Sequence, residues 1–552
     1  MKHRLFACPL LALVILAGTA QPGAAQVVGS PGDPVLLVYP TGVHPADVNN
    51  VQYALDNVAS PGTVVMKSSD LGGNPLAFNF DGTVPPPASG ANNGGVLKLL
   101  RPDITLTGDG WDESLDEPKT KIEGGGGFFR FSSSVSGNAM VFAVRAPGVT
   151  IREIKLTTAA AFTGVFIVST TAWPASDHPV VVERNDISVL NYGVLASYSA
   201  AFPVKIDGNV LKARSLLEAR WIGFTLRPIT TPVVYDEPAV PVDALGNAVR
   251  YPFEVINNTM LRTPGATTLT TLAVYGWANY YNTAAGADPS DPDIGCRRYM
   301  VGGVARYQCV DGDNGPVFIT GNRISVDTPM DAVVSAIELG IYDSGVNDAV
   351  VAGNAVSGTT YAGLRSYGYM RGAAILDNDF SGLQAAHQIV FQATDSVVAG
   401  NILGPILPFS GWVYELPQPA LLLTSANFYP GFSPMPRPVE DCVIMQNDYS
   451  LTGVERGAVL LASRAELRYP TGAGTEVKNN LVFESGRFPA GTGGAQDQVI
   501  ELNVMTNPDT GLPYVHDNRI VGQSANGLDD PGIGPAIRKV NAIRKMLVER
   551  GR

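Results

Sequence analysis

The sequence predicts an all-β fold, a right-handed parallel β-helix solenoid with an N-terminal capping helix and a short C-terminal helix. Three observations carry this expectation. A short motif recurs ten times at related spacings, Val and Ile alternate with polar residues in short runs, and turn-forming Gly and Asn punctuate those runs.

The chain has 552 residues, 45% of them hydrophobic and only 16% charged, with 60 Gly and 41 Pro. That composition can bury a core while turning often, and it excludes a disordered chain. Its first residues are Met1-Lys2-His3-Arg4, followed by an apolar run from Leu5 to Gly18 and small residues up to Ala25. The run is too short to span a bilayer and reads as a secretory signal peptide over 1–26, so a secreted or periplasmic protein with no membrane span after its removal is expected. The formal charge is −12 and becomes more negative when Lys2 and Arg4 leave, which argues against nucleic acid as a partner.

The expected organisation is an N-terminal segment and capping helix over 27–60, a parallel β-helix over 61–530 and an amphipathic C-terminal helix over 531–552. In the first of these, Val48, Val51, Ala54, Leu55 and Val58 follow helical spacing, and Asp47 is available as an N-cap. A solenoid end needs such a cover, because its first coil otherwise exposes both core and strand edge. The basic helix at the other end is expected to be a cap or a solvated tail.

The repeat motif is a β-branched residue, two variable residues, Asn, one variable residue and an apolar one. Its asparagines are Asn185, Asn209, Asn258, Asn322, Asn354, Asn378, Asn401, Asn447, Asn480 and Asn518, at steps of 24, 49, 64, 32, 24, 23, 46, 33 and 38 residues. The steps fit one unit of 23 or 24 residues, sometimes doubled and sometimes carrying an insertion. In a strand alternate side chains point inward, which explains the apolar residues on either side of the Asn. The Asn itself is expected to take the left-handed conformation of a sharp corner and to stack, one coil above the next, as an amide ladder. Gly208, Gly321, Gly353 and Gly400 precede it where a larger side chain would crowd the corner.

Together with Pro61-Gly62-Thr63-Val64-Val65 after the helix, Asp103-Ile104-Thr105-Leu106-Thr107-Gly108 and Pro147-Gly148-Val149-Thr150-Ile151-Arg152, these corners resemble the pectin-lyase-like right-handed β-helix superfamily over roughly residues 45–525. The resemblance implies the fold and a long lateral surface suited to extended glycans. It does not imply a reaction, since the fold carries lyases, hydrolases, epimerases, tailspikes and adhesins. Polygalacturonases are similar to one another through a Gly-His-Gly that is missing around His44, His178, His387 and His516, and the Asp-Pro-His of mannuronan epimerases is answered here by Asp288-Pro289-Ser290-Asp291.

Candidate site residues lie in the largest insertion and on the most regular coils. The 64-residue step holds an insertion with Trp277, Tyr280, Tyr281, Arg297 and Arg298, in which rings can stack on sugars and guanidinium groups can pair with carboxylates. Cys296 and Cys309 in the same insertion could close a local disulfide, leaving Cys442 over. No cofactor is required, although calcium could be held by acidic turns, chiefly at Asp311 and Asp313. Aligning Gly340-Ile341-Tyr342-Asp343 with Gly363-Leu364-Arg365-Ser366 sets Tyr342 beside Arg365 on adjacent coils, near Asp343 and Glu338, a set able to take the proton beside a uronate carboxylate. The expected function is action on, or binding of, an extended and acidic polysaccharide, with lyase, epimerase and hydrolase types left open; the alternative is a non-catalytic structural or adhesive surface protein. Nothing in the sequence indicates an oligomeric state.

Overall fold

The structure is a computed structural model that describes residues 26–80, 95–124, 140–158, 163–168, 176–198, 202–221, 251–263, 271–275, 296–301, 304–309, 316–328, 334–340, 346–366, 370–408, 419–424, 439–453, 459–462, 476–483, 499–501, 506, 510–521 and 533–549. The proposed signal peptide, Trp277, Tyr280, Tyr281, Asp288, Asp311, Asp313, Tyr342 and Asp343 lie outside these residues. So do the side chains of Cys296, Arg297, Arg298 and Cys309, whose backbone is described.

Short strands wind into three stacked faces. A 15-stranded sheet forms the first face, and all its pairings from Val35–Val38 onward are parallel; only Val27–Val28 joins it antiparallel, at the edge. A 19-stranded sheet forms the other two. Those two faces are continuous because the strands Ala355–Ser366 and Asp379–Phe391 run round the corner between them, so that one strand pairs with Arg323–Asp327 at its start and with Ser335–Leu339 at its end. This is the parallel β-helix that the repeat predicts. The enclosed core is one cluster running from Leu36 to Val515, built of inward residues such as Val182, Ile206, Val255, Ile319, Val351, Ile375 and Val398.

Helix α1, Ala46–Asn57, connects the first two parallel strands, Val35–Val38 and Gly62–Met66, so the solenoid begins before the helix rather than at residue 61. Val48, Val51, Ala54 and Leu55 are buried against the first coils. Asp47 is not the N-cap: it sits within the first turn, fully buried, where its carboxylate accepts from Thr41 N at 2.6 Å, Thr41 Oγ1 at 2.7 Å and Asn79 N at 2.7 Å.

Eight asparagines form the ladder. From Asn185 through Asn209, Asn258, Asn322, Asn354, Asn378 and Asn401 to Asn447, each Nδ2 donates to the Oδ1 of the next at 2.9–3.0 Å. Each Oδ1 also accepts the backbone N–H of the preceding Asn, and Ile154 N supplies the first donor. The left-handed residue of the corner is not the Asn but its predecessor, with φ between 52° and 70° at Arg184, Gly208, Asn257, Gly321, Gly353, Asp377, Gly400 and Gln446. Conformation rather than crowding explains Gly353, since a Cβ there would meet nothing within 4 Å.

Asn480 and Asn518 belong to a different corner, the one that precedes the first face. Register pairs Val443 with Leu481 and Leu481 with Arg519, which stacks Cys442, Asn480 and Asn518. Ala373 and Ser396 occupy the same corner on the two preceding coils. Cys442 N donates to Asn480 Oδ1 at 3.0 Å, and Asn480 Nδ2 to Asn518 Oδ1 at 2.9 Å. The ten asparagines therefore make two ladders. Both corners require the same local sequence, a left-handed residue followed by a buried hydrogen-bonding one, so the motif alone does not distinguish them.

Helix α2, Ile533–Glu549, is neither an end cap nor a solvated tail. It lies along the outside of the first face, where Val540, Leu547, Ile537, Ile543 and Met546 pack on Phe318, Val350, Ala374, Leu376, Val397, Ala399, Met445 and Phe483. Lys539 Nζ donates to the Asp395 carbonyl at 2.6 Å. No helix among the described residues is long and apolar enough to cross a membrane.

Candidate functional site

Two outer surfaces carry polar groups of interest. On the third face Ile337, Leu339, Leu364, Ile389 and Phe391 point into the core, and alternation turns Glu338, Arg365 and Val390 away from it. Glu338 lies directly beside Arg365 in register, with Ile337 beside Leu364, so the alignment that set Tyr342 there is corrected by four residues. Arg365 Nη2 donates to Glu338 Oε2 at 2.7 Å. Both side chains are buried, 2% and 4% exposed, where an exposed groove was expected.

Around this pair the strands assemble further titratable groups. The Arg365 guanidinium carbon stands 5.6 Å from the centre of the Tyr361 ring, and the His387 ring meets Tyr361 edge-on at 5.7 Å. His387 Nδ1 donates to the Pro419 carbonyl at 2.9 Å. Burial is the main reason that His387 is lowered to about 4, and the nearby Arg365 charge adds to it, so the ring is neutral at ordinary pH. The arrangement combines a carboxylate, a guanidinium, a phenol and a neutral imidazole. Sequence reasoning found Glu338 and Arg365 and missed Tyr361 and His387; the corner between faces, which interrupts the alternation, hides them.

The second outer surface lies on the second face, directly after the asparagine ladder. An open groove of about 310 Å³ crosses four consecutive coils, over the strands Thr259–Arg262, Arg323–Asp327, Ala355–Ser366 and Asp379–Phe391. Met260, Ile324 and Val356 point inward and fix the strands to the core, which leaves their neighbours outward. One outward row reads Thr259, Arg323, Ala355 and Asp379 in register, then Ile402 and Asp448. A parallel row reads Leu261, Ser325, Ser357 and Gly382. Among the described residues Arg323, which is exposed, makes no ion pair, and Asp379 Oδ1 accepts from Ser381 N at 2.9 Å. Upstream the same face is electrically closed, because Glu117 binds both Lys121 and Lys155, and Asp186 lies 3.4 Å from Lys212. None of these groove residues was singled out from sequence, although Arg323-Ile324-Ser325-Val326-Asp327 shows the alternation that would have revealed it.

The candidate insertion contributes an antiparallel hairpin, Cys296–Val301 with Val304–Cys309, in which Cys296 is directly opposite Cys309. No group of three or more His, Cys, Asp or Glu suited to a metal ion occurs among the described residues.

No family model matches the chain, and no curated protein does. Solved structures of similar outline include the A-module of mannuronan C-5 epimerase AlgE4 from Azotobacter vinelandii, at 12% identity and a TM-score of 0.39, covering 90% of this chain and 98% of that one. DFA-IIIase from Arthrobacter chlorophenolicus A6 is 11% identical with a TM-score of 0.40, covering 87% and 94%. A mutant tailspike protein of E. coli bacteriophage HK620 in complex with a hexasaccharide is 10% identical with a TM-score of 0.37, covering 81% and 73%. At such scores no residue role passes from those proteins to this chain.

Proposed function

We propose that this protein is a secreted or periplasmic β-helix that binds an extended polysaccharide along the second-face groove. One observation carries the reading: an open, four-coil channel that joins the Thr259, Ser325, Ser357 and Ser381 hydroxyls to aliphatic Leu261, the Arg323 guanidinium and the Asp379 carboxylate. Hydroxyls and single charges hydrogen-bond sugar hydroxyls, and an aliphatic patch meets the apolar face of a pyranose. Rungs about 4.8 Å apart repeat at nearly the rise of one sugar unit, so an extended chain crossing the strands meets similar chemistry at each step. The cationic, apolar N-terminal segment supports export, and an oxidising compartment would let Cys296 and Cys309 close a cross-strand disulfide. Retention on immobilised polysaccharides tests the reading. Wild-type protein is expected to be retarded and Ala355→Trp, which fills the channel from its centre, is not; equal retardation of the two would exclude this groove.

A catalytic reading rests on the third face, where Glu338, Arg365, Tyr361 and His387 bring acid, base and charge-stabilising groups together. Its test is turnover of uronate polymers, followed by the unsaturated ends that lyases form or by exchange of the C5 proton; unchanged turnover in His387→Gln and Arg365→Lys would remove these residues from the chemistry.

A further inference from the structure

The charge order along the groove restricts the glycan that it can hold. We infer that the groove selects a heteropolysaccharide with sparse anionic units, and that it discriminates against a homopolyuronate; this rests on the glycan-binding reading above. In the outward row Arg323 is followed by Ala355, Asp379, Ile402 and Asp448, one per coil. Arg323 and Asp379 are thus two rungs apart, about 10 Å, and Asp448 stands two rungs beyond Asp379.

A carboxylate on the ligand is matched at Arg323, where a guanidinium with no ion pair among the described residues offers paired N–H donors. Two units further along, the same ligand meets Asp379; past the groove, the outward row continues to Asp448. Both are carboxylates whose Oδ1 atoms are turned by the N–H of Ser381 and Ser450, at 2.9 Å each, and neither has a cationic partner among the described residues. A polymer with a carboxylate on every unit would set a like charge against Asp379. A sugar hydroxyl at that position instead donates to it. Ala355 and Ile402 between the charges are apolar, and Gly382 keeps the neighbouring row low, since a Cβ there would approach Ser357 Cβ to 3.2 Å. The groove therefore matches one anionic sugar followed by neutral ones. Like-charge juxtaposition is an efficient way to refuse a partner that the attractive contacts alone would accept.

Calorimetry with three oligosaccharides of equal length tests this: an oligogalacturonate, a neutral oligomannoside, and a hetero-oligosaccharide with one uronate among neutral units. The hetero-oligosaccharide is expected to bind at least tenfold tighter than the oligogalacturonate, Asp379→Asn to raise oligogalacturonate affinity severalfold, and Arg323→Ala to bring the hetero-oligosaccharide down to the neutral one. Binding of the oligogalacturonate as tightly as the hetero-oligosaccharide, or an Asp379→Asn variant with unchanged preference, overturns the inference while leaving the groove as the binding surface. No binding of any of the three overturns both.

Discussion

Arg544 of helix α2 grips Asp377, 167 residues earlier in the chain, with Nε to Oδ2 at 2.8 Å and Nη2 to Oδ1 at 2.5 Å. Asp377 is the left-handed corner residue, φ 53°, directly before the ladder residue Asn378. The pair raises the Arg544 guanidinium above its usual range and ties the end of the chain to the middle of the solenoid.

Detaching that helix should expose an apolar sheet face. Arg544→Ala removes a partly exposed ion pair and is expected to cost about 1 kcal/mol or less. Val540→Asp places a charge in the contact and should release the helix, with increased binding of a hydrophobic dye and tryptic cleavage within it, after Arg544 or Lys545. A variant that binds no more dye than wild type would show that α2 does not cover Val350, Leu376 and Val397.

The ladder is expected to be costly to interrupt. Asn354 is fully buried, donates to Ile319 O at 2.8 Å and Asn378 Oδ1 at 2.9 Å, and accepts from both Asn322 N and Nδ2. Asn354→Ala leaves several buried groups without partners and should destabilise by about 3 kcal/mol or more. A denaturation midpoint within error of wild type would contradict the ladder's energetic role.

Acid should weaken the third-face cluster through His387. Its folded-state value near 4 lies below the usual 6.5, so between those pH values the unfolded chain binds the proton more readily. Stability then rises with pH across that window and is lost as pH falls from about 6.5 toward 4, by up to about 3 kcal/mol. Denaturant midpoints at pH 7 and pH 4.5 measure this, and His387→Gln should flatten the difference; an unaltered pH dependence in that variant would assign it elsewhere.

Thiol chemistry should separate the cysteines. Peptide mapping without reductant is expected to recover Cys296 linked to Cys309, which face each other across the hairpin. Cys442, fully buried with its thiol pushed up to about 12, should resist alkylation until the protein unfolds. Native labelling of Cys442, or free thiols at both hairpin positions, would refute the assignment.

The winding was legible in the sequence because inward Val and Ile and a corner Asn recur wherever a coil must bury its interior. Its limits are equally physical. Val477-Lys478-Asn479-Asn480 satisfies the same corner geometry as Ile319-Thr320-Gly321-Asn322, so a local motif could not reveal that Asn480 stacks on Cys442 instead of Asn447. Glu338 displaced Tyr342 beside Arg365 because loop lengths vary between coils and Ile341 fits an inward position as well as Ile337 does. The docking of α2 did leave a signal: Ala349-Val350-Val351-Ala352 and Ala374-Ile375-Leu376 are apolar on both sides of the strand, as strands covered on both faces are.

In the proposed binding mode a glycan lies across the coils, from Thr259 over Arg323 and Ala355 to Asp379. Affinity as a function of oligosaccharide length measures it most directly. Affinity is expected to climb with each added sugar until the four coils are spanned and then to level off, and Ala355→Trp is expected to abolish the climb. Affinity independent of length, or a climb unaffected by Ala355→Trp, would contradict it.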